Sequence, residues 1–320
     1  MWKFSVRRIL IMIPQLFLLS VLIFILAKLM PGDALSGPID PSIDLNTIGE
    51  LREKMGLNDP WYQQYGRWIN GLLHGDLGES FRYKMKVTEL IGQRITNTLW
   101  LSLVTLILIY LISIPLGIIS GRYNNSWADN LITGYTYIGF ATPLFIFALV
   151  MLWLGGFTLG WFPTGGSVAP GIAPGTLEHS LSKLSHLLLP AISMALIGTV
   201  GTVQYLRNEI IDTKQRDFVI TARAKGASES RVYKRHILRN ALLPIAAFFG
   251  YEITGLIGGT VFVESIFSYP GMGQLFLESI TTRDYSVATS LVLLLGMASI
   301  IGTLISDIVL SLVDPRIRIK

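Results

Sequence analysis

Six stretches of this chain are long and apolar enough to cross a bilayer: Ile9–Leu29, Leu99–Ile119, Leu131–Leu154, Leu187–Leu206, Ala241–Val263 and Val287–Val313. A helix needs about 20 predominantly apolar residues for that. Only α-helices and closed barrels satisfy every backbone group in hydrocarbon, and these runs lack the alternation of barrel strands. The expected class is therefore an all-α integral membrane protein with about six transmembrane helices. Charge supports this, because only 15% of the residues are charged and they are pooled between the apolar runs. A soluble domain carries about 25% spread over its surface.

The amino terminus carries Lys3, Arg7 and Arg8 ahead of the first run. A signal peptide has a similar basic start, but its apolar region is about 7–15 residues and ends in a small-residue cleavage site. Lys28-Leu29-Met30-Pro31 offers no such site, so the run reads as a retained span. With that terminus in the cytoplasm, residues 1–8, 120–130, 207–240 and 314–320 face inward and hold 16 Lys and Arg. The longer outer segments, 30–98, 155–186 and 264–286, hold nine. The positive-inside rule then places both termini in the cytoplasm of a multi-pass protein. The chain divides into 1–30 (amino terminus and first span), an extracytoplasmic segment 31–97, a five-helix core 98–313 and a tail 314–320. Within 31–97, Trp61, Tyr62, Tyr65, Trp68, Ile69 and Leu72 recur at helical spacing. They predict a short helix resting on the membrane interface or on neighbouring spans rather than a ligand surface.

Catalytic chemistry is not indicated. Cysteine is absent, and His74, His179, His186 and His236 are scattered, so no metal site is expected. No phosphate-binding glycine loop or nucleophile elbow occurs, and no carboxylate pair has acid–base spacing. The basic balance, with a sequence pI near 9.3, is accounted for by cytoplasmic loops, not nucleic acid. Three ionisable residues lie within the runs. Lys28 and Asp307 lie near span ends and can reach water. Glu252 lies mid-span, where charge is costly, and reads either as lining a polar pathway or as a satisfied structural carboxylate. Pro14, Pro115, Pro143, Pro190 and Pro244 are internal to spans and predict kinks. Gly165, Gly166, Gly171 and Gly175 mark an irregular outer loop.

The basic segment 207–240 is the most patterned. Phe218 to Lys225 suits a helix ended by Gly226, and Ser228 can cap a second helix from Glu229 to about Arg239. Small residues at Ala222 and Ala224 suit a groove on another protein. A solvated basic loop touching anionic lipid is the alternative.

The run from Asp217 through Gly226 to Pro244 resembles the cytoplasmic coupling loop of type I ATP-binding-cassette importer permeases. Thr-Ala-Arg-Ala-Lys-Gly at 221–226 and Arg-His-Ile-Leu-Arg-Asn-Ala-Leu-Leu-Pro at 235–244 are similar to its peptide branch. So are Pro31-Gly32-Asp33, Gly75-Asp76-Leu77-Gly78-Glu79-Ser80, Trp161-Phe162-Pro163-Thr164-Gly165-Gly166 and Pro270-Gly271-Met272-Gly273. The whole looks most like the B-type oligopeptide permease subunit of Gram-positive bacteria. The general family loop has a glutamate six residues before its glycine, and here that position is Ile220.

This resemblance implies a permease subunit that is not itself an enzyme, in a bacterial plasma membrane. It implies a second homologous permease subunit, two ATPase subunits, an extracytoplasmic peptide-binding protein and a peptide substrate as partners, besides membrane lipid. ATP and magnesium are expected on the ATPases, with no cofactor on this chain. Thr221, Ala222, Arg223, Ala224, Lys225, Gly226 and Ala227 would form the coupling helix that seats on an ATPase. Dipeptide, glutathione or nickel-complex cargo is the alternative within the family. A stand-alone channel or ion-coupled carrier is the rival from another class, although no hydropathy symmetry of the kind such carriers show is present.

Overall fold

A computed structural model describes residues 2–29, 53, 56, 58–242, 245 and 260–313. The predicted fifth span, Ala241–Val263, lies mostly outside these residues, as does Glu252 within it. The helices are α1 (Trp2–Leu29), α2 (Trp61–Leu73), α3 (Val87–Arg122), α4 (Trp127–Ala141) and α5 (Leu144–Met151). The last runs on in wider π-helical form through Leu152–Thr158. There follow α6 (Leu177–Lys214), α7 (Asp217–Ala224) and a continuous helix over 229–241, called α8, whose middle, Val232–Leu238, is π-helical. After a helical stretch at 260–266 come α9 (Met272–Thr281) and α10 (Tyr285–Val313).

Among the described residues, four helices are long and apolar enough to cross a membrane: α1, α3, α6 and α10. The predicted third span, Leu131–Leu154, is built as α4 and α5, which meet at 106°. The residue before a proline is pushed out of the helical region. Thr142 accordingly sits at φ −100°, ψ 115° and Pro143 at φ −60°, ψ 135°. Pro14, Pro115 and Pro190, by contrast, lie inside helices that continue through them.

The centre is the α3–α6 pair. In lipid, helices associate through close packing at small residues rather than through a hydrophobic driving force. A Cβ on Gly198 would come within 2.7 Å of Ile109, one on Gly117 within 2.9 Å of Leu206, and one on Gly121 within 2.7 Å of Ile210. All three pairings keep one offset of 89 residues, so the two helices run parallel in a single register.

Helix α1 packs antiparallel on α10. Leu19 fills the space beside Gly296, and Arg8 pairs with Asp307 at 3.0 Å. Asp307 is therefore an ion-pair partner rather than a carboxylate left to water. Helix α2 lies along the far half of α1, with Tyr65 and Trp68 at 5.3 and 6.0 Å from the Phe24 ring. Tyr65 also exchanges a 2.8 Å hydrogen bond with Ser20, and Lys28 donates to Gln64. Tyr65 and Trp68 of the predicted aromatic stripe thus rest on a neighbouring span, whereas Trp61 and Tyr62 are exposed, and Lys28 is tethered to α2.

At the end of α3 where Val87 lies, buried carboxylates tie the loops down. Glu264 accepts from Thr98 Oγ1 at 2.6 Å and from the first amides of α9, Gly273 at 2.7 Å and Gln274 at 3.0 Å. Ser80 donates to Asp284, and Tyr83 donates to Glu278 at 2.6 Å. Burial, with Glu278 beside it, pushes the Tyr83 phenol above its ordinary value.

Candidate functional site

The candidate site is the opposite end, where α6 passes into α7. Two residues separate them, and neither gives slack: the amides of Gln215 and Arg216 bond back to Asp212 and Thr213 at 3.1 and 3.2 Å. Asp217 opens α7 and Arg223 lies in its last turn, the order that complements a helix dipole. The predicted stop at Gly226 is present in full. Gly226 N–H bonds Arg223 O at 2.9 Å and Ala227 N–H bonds Ala222 O at 3.2 Å, the paired closure that needs a left-handed residue between them. Gly226 supplies it at φ +74°.

Helix α7 has two faces. Val219 and Ala222 point inward, into a cluster with Leu206 and Ile210 of α6 and Val232, Tyr233 and Ile237 of α8. Phe218, Ile220, Thr221, Arg223, Ala224, Lys225 and Gly226 are exposed, and Ala227 is half-buried. Ala222 and Ala224 lie on different sides of α7, as about 100° of rotation per residue requires: Ala222 is buried and only Ala224 faces out. The exposed apolar pair is Phe218 and Ile220, at 43% and 56%. Ile220 is the position where the general family loop has a glutamate. Arg223 also reaches Glu229 through Nε at 2.8 Å, a solvent-exposed bridge contributing about 0–1 kcal/mol. Ser228 precedes α8 but its side chain makes no capping bond. Its carbonyl instead accepts from Val232 N–H at 2.9 Å.

Behind α7 lies a polar knot that the sequence reading missed. Asp129, in the first turn of α4, is 1% exposed. It accepts from Arg207 Nε at 2.7 Å and Nη2 at 2.8 Å. It also accepts from Ser120 Oγ, from Asn125 N–H at 2.7 Å and from Thr133 Oγ1 at 3.3 Å. Lys214 donates to the last carbonyls of α3, Gly121 at 3.2 Å and Arg122 at 3.1 Å, and to Asn124 at 2.7 Å. On the other flank, the Arg122 guanidinium lies 4.8 Å from the Tyr233 ring centroid. The available signal was Ser126-x-x-Asp129, a capping-box spacing. Ser126 does accept from Asp129 N–H, at 3.3 Å.

Among the described residues, no group of three or more His, Asp or Glu side chains could hold a metal ion. What the arrangement can do is mechanical. A partner seated on α7 would press on a helix whose inner face is packed among residues of α6 and α8 and whose first residue follows α6 without slack.

The family model for the binding-protein-dependent transport system inner membrane component matches residues 113–319, and that for the N-terminal part of such membrane components matches residues 1–104. The oligopeptide transport system permease protein AppB of Bacillus subtilis is 41% identical over 319 residues, covering 99% of this chain and 100% of that protein. The glutathione transport system permease protein GsiC of Escherichia coli K12 is 30% identical over 320 residues, covering 100% of both. Among solved structures, the inward-facing MetNI methionine ABC transporter superposes with a TM-score of 0.57 at 14% identity, over 70% of this chain and 96% of that one. That likeness carries the fold alone.

Proposed function

The chain belongs to the family of binding-protein-dependent transport system inner membrane components, and on that premise we propose that it forms half of the translocation pathway of an ATP-driven oligopeptide importer. The second half is a related permease subunit. Two ATPases, which bind the ATP and magnesium, dock at the α7 end, and an extracytoplasmic binding protein delivers peptide at the other. The α7 end and both termini face the cytoplasm of a bacterial plasma membrane, as the clustering of Lys and Arg in 207–240 favours.

One observation carries the reading. Helix α7 presents Phe218, Ile220 and Lys225 outward while Val219 and Ala222 are seated against the end of α6. A surface free to bind a partner is thus joined without slack to the spans. Peptide cargo is favoured by the 41% identity to an oligopeptide permease; the relative named for glutathione supports that tripeptide as the second reading of the cargo.

The test is the complete importer in proteoliposomes. A β-branched residue at φ +74° costs about 1–2 kcal/mol of backbone strain. Gly226→Val should therefore leave membrane insertion and ATP hydrolysis in place while peptide uptake falls about tenfold, a typical coupling free energy. Unchanged uptake would reject the role given to the loop. In the same assay, Glu252→Gln should slow transport if that carboxylate lines the pathway, and full activity would remove it from the pathway. Uphill peptide transport by this chain without any companion would overturn the importer reading altogether.

A further inference from the structure

We propose that Asp129 and Arg207 are positioning residues of the transport cycle, whose ion pair joins the α7 ends of α3, α4 and α6 into one lever. The proposal rests on reading α7 as the docking helix and adds which bond carries its movement onward.

The argument starts from where Arg207 sits. It lies on α6 between Leu206 and Ile210, both of which belong to the cluster that seats the inner face of α7. Displacing α7 therefore displaces the turn of α6 that carries Arg207. Arg207 grips Asp129 with two parallel bonds, at 2.7 and 2.8 Å. Such a fork resists both sliding and rotation, whereas a single point contact resists neither. Asp129 is in turn held by Ser120 from the last turns of α3, by the Asn125 amide from the α3–α4 turn, and by Thr133 one turn further along α4. A carboxylate has about four lone-pair sites. Donors from three elements occupy them, so none of those elements can move at this level without the others.

The lever has a natural end. Helix α4 leads from Asp129 to the break at Thr142-Pro143, where the chain turns through 106° into α5. Displacement gathered at α7 is thus delivered to a bend, where φ and ψ changes are cheapest.

The pair is not what holds α4 on α6. Deeper along the helices, Tyr135 bonds Thr199 at 2.6 Å and the Leu196 carbonyl, and Gly139 packs against Val200. Breaking the ion pair should leave the two helices associated and loosen only their ends. That separates a positioning role from a purely structural one.

The experiment uses the full importer with Asp129→Asn and, separately, Arg207→Lys, which keeps the charge and loses the fork. Both should assemble with the ATPases and hydrolyse ATP within about twofold of the parent, while peptide taken up per ATP falls about tenfold. A parallel measurement does not depend on cargo. The chain has no cysteine, so Trp127→Cys on α4 and Asp212→Cys on α6 can carry one pair of spin labels, both at exposed positions off the docking helix. Their distance distribution should be narrow in the parent and broad in Asp129→Asn. An unchanged uptake-to-hydrolysis ratio with an unchanged distribution overturns the lever. Failure of both variants to assemble also overturns it, because the pair would then be structural. A parent complex that imports no peptide would sink the cargo reading instead, and the label distances would still decide the lever.

Discussion

Ala222 is 8% exposed and lies in the cluster with Val232, Tyr233 and Ile237, whereas Ala224, two positions on, is exposed. Two identical side chains therefore answer to different constraints. Enlarging Ala222 inserts three carbons into a filled space, which costs about 1–3 kcal/mol. Enlarging Ala224 meets no packed neighbour in this chain and alters only what a partner touches. Ala222→Leu should lower the thermal midpoint of the purified chain in detergent, and Ala224→Leu should leave it unchanged while weakening ATPase co-purification. Equal midpoints for the two would contradict the assignment of faces. At this scale the glycine stop was readable, because glycine is the usual residue at the left-handed position that ends a helix. Which alanine faced inward was not: eight residues make little more than two turns, and the apolar residues Phe218, Val219, Ile220 and Ala222 spread over more than half of the circumference. Asp129 and Arg207 escaped for another reason. They stand 78 positions apart, and only the packing of α4 on α6 brings them together.

The spans themselves were legible as elements, since hydropathy over about 20 residues reports directly on bilayer thickness. Their breaks were less so. The same residue type stands at Pro14, Pro115, Pro143 and Pro190, yet only at Pro143 does the described helix stop, because there the preceding Thr142 adopts an extended backbone. Propensity permits either outcome, and packing against neighbours selects one. The parallel α3–α6 seam gives this scale its own prediction. A Cβ on Gly121 would lie 2.7 Å from Ile210 and 3.0 Å from the Arg207 carbonyl, so the obstacle is partly backbone that cannot move aside. Gly121→Val should destabilise by about 1–3 kcal/mol. Gly134 on α4 has open space around it, and Gly134→Val should be neutral or slightly stabilising, because valine is the better helix former. Thermal denaturation of the two variants side by side checks the seam, and a larger loss at Gly134 would contradict it.

At the scale of the molecule, α3 sets the distance between the two functional ends. Its 36 residues, at about 1.5 Å each, span about 54 Å. A bilayer with its headgroups is about 40–45 Å thick. The helix therefore projects beyond the membrane, and it begins beside the loop of Ser80 and Tyr83 and ends against Lys214 and the base of α7. The buried carboxylates Glu264 and Asp284 make one end rigid, and the Asp129 knot does the same at the other, so the spans between them are framed by two fixed caps. The proposal that the Asp129 cap faces the cytoplasm rests on charge: 207–240 holds nine Lys and Arg. Translocating that segment would oppose the inward-negative potential at about 2.3 kcal/mol per charge per 100 mV. The absence of native cysteine makes the orientation directly measurable. In right-side-out vesicles, a membrane-impermeant maleimide should label Phe81→Cys and spare Lys234→Cys, both exposed positions; inside-out vesicles should reverse the pattern. Labelling of Lys234→Cys from the outside would place α7 beyond the reach of any cytoplasmic ATPase, and both the docking role and the lever behind it would fall together.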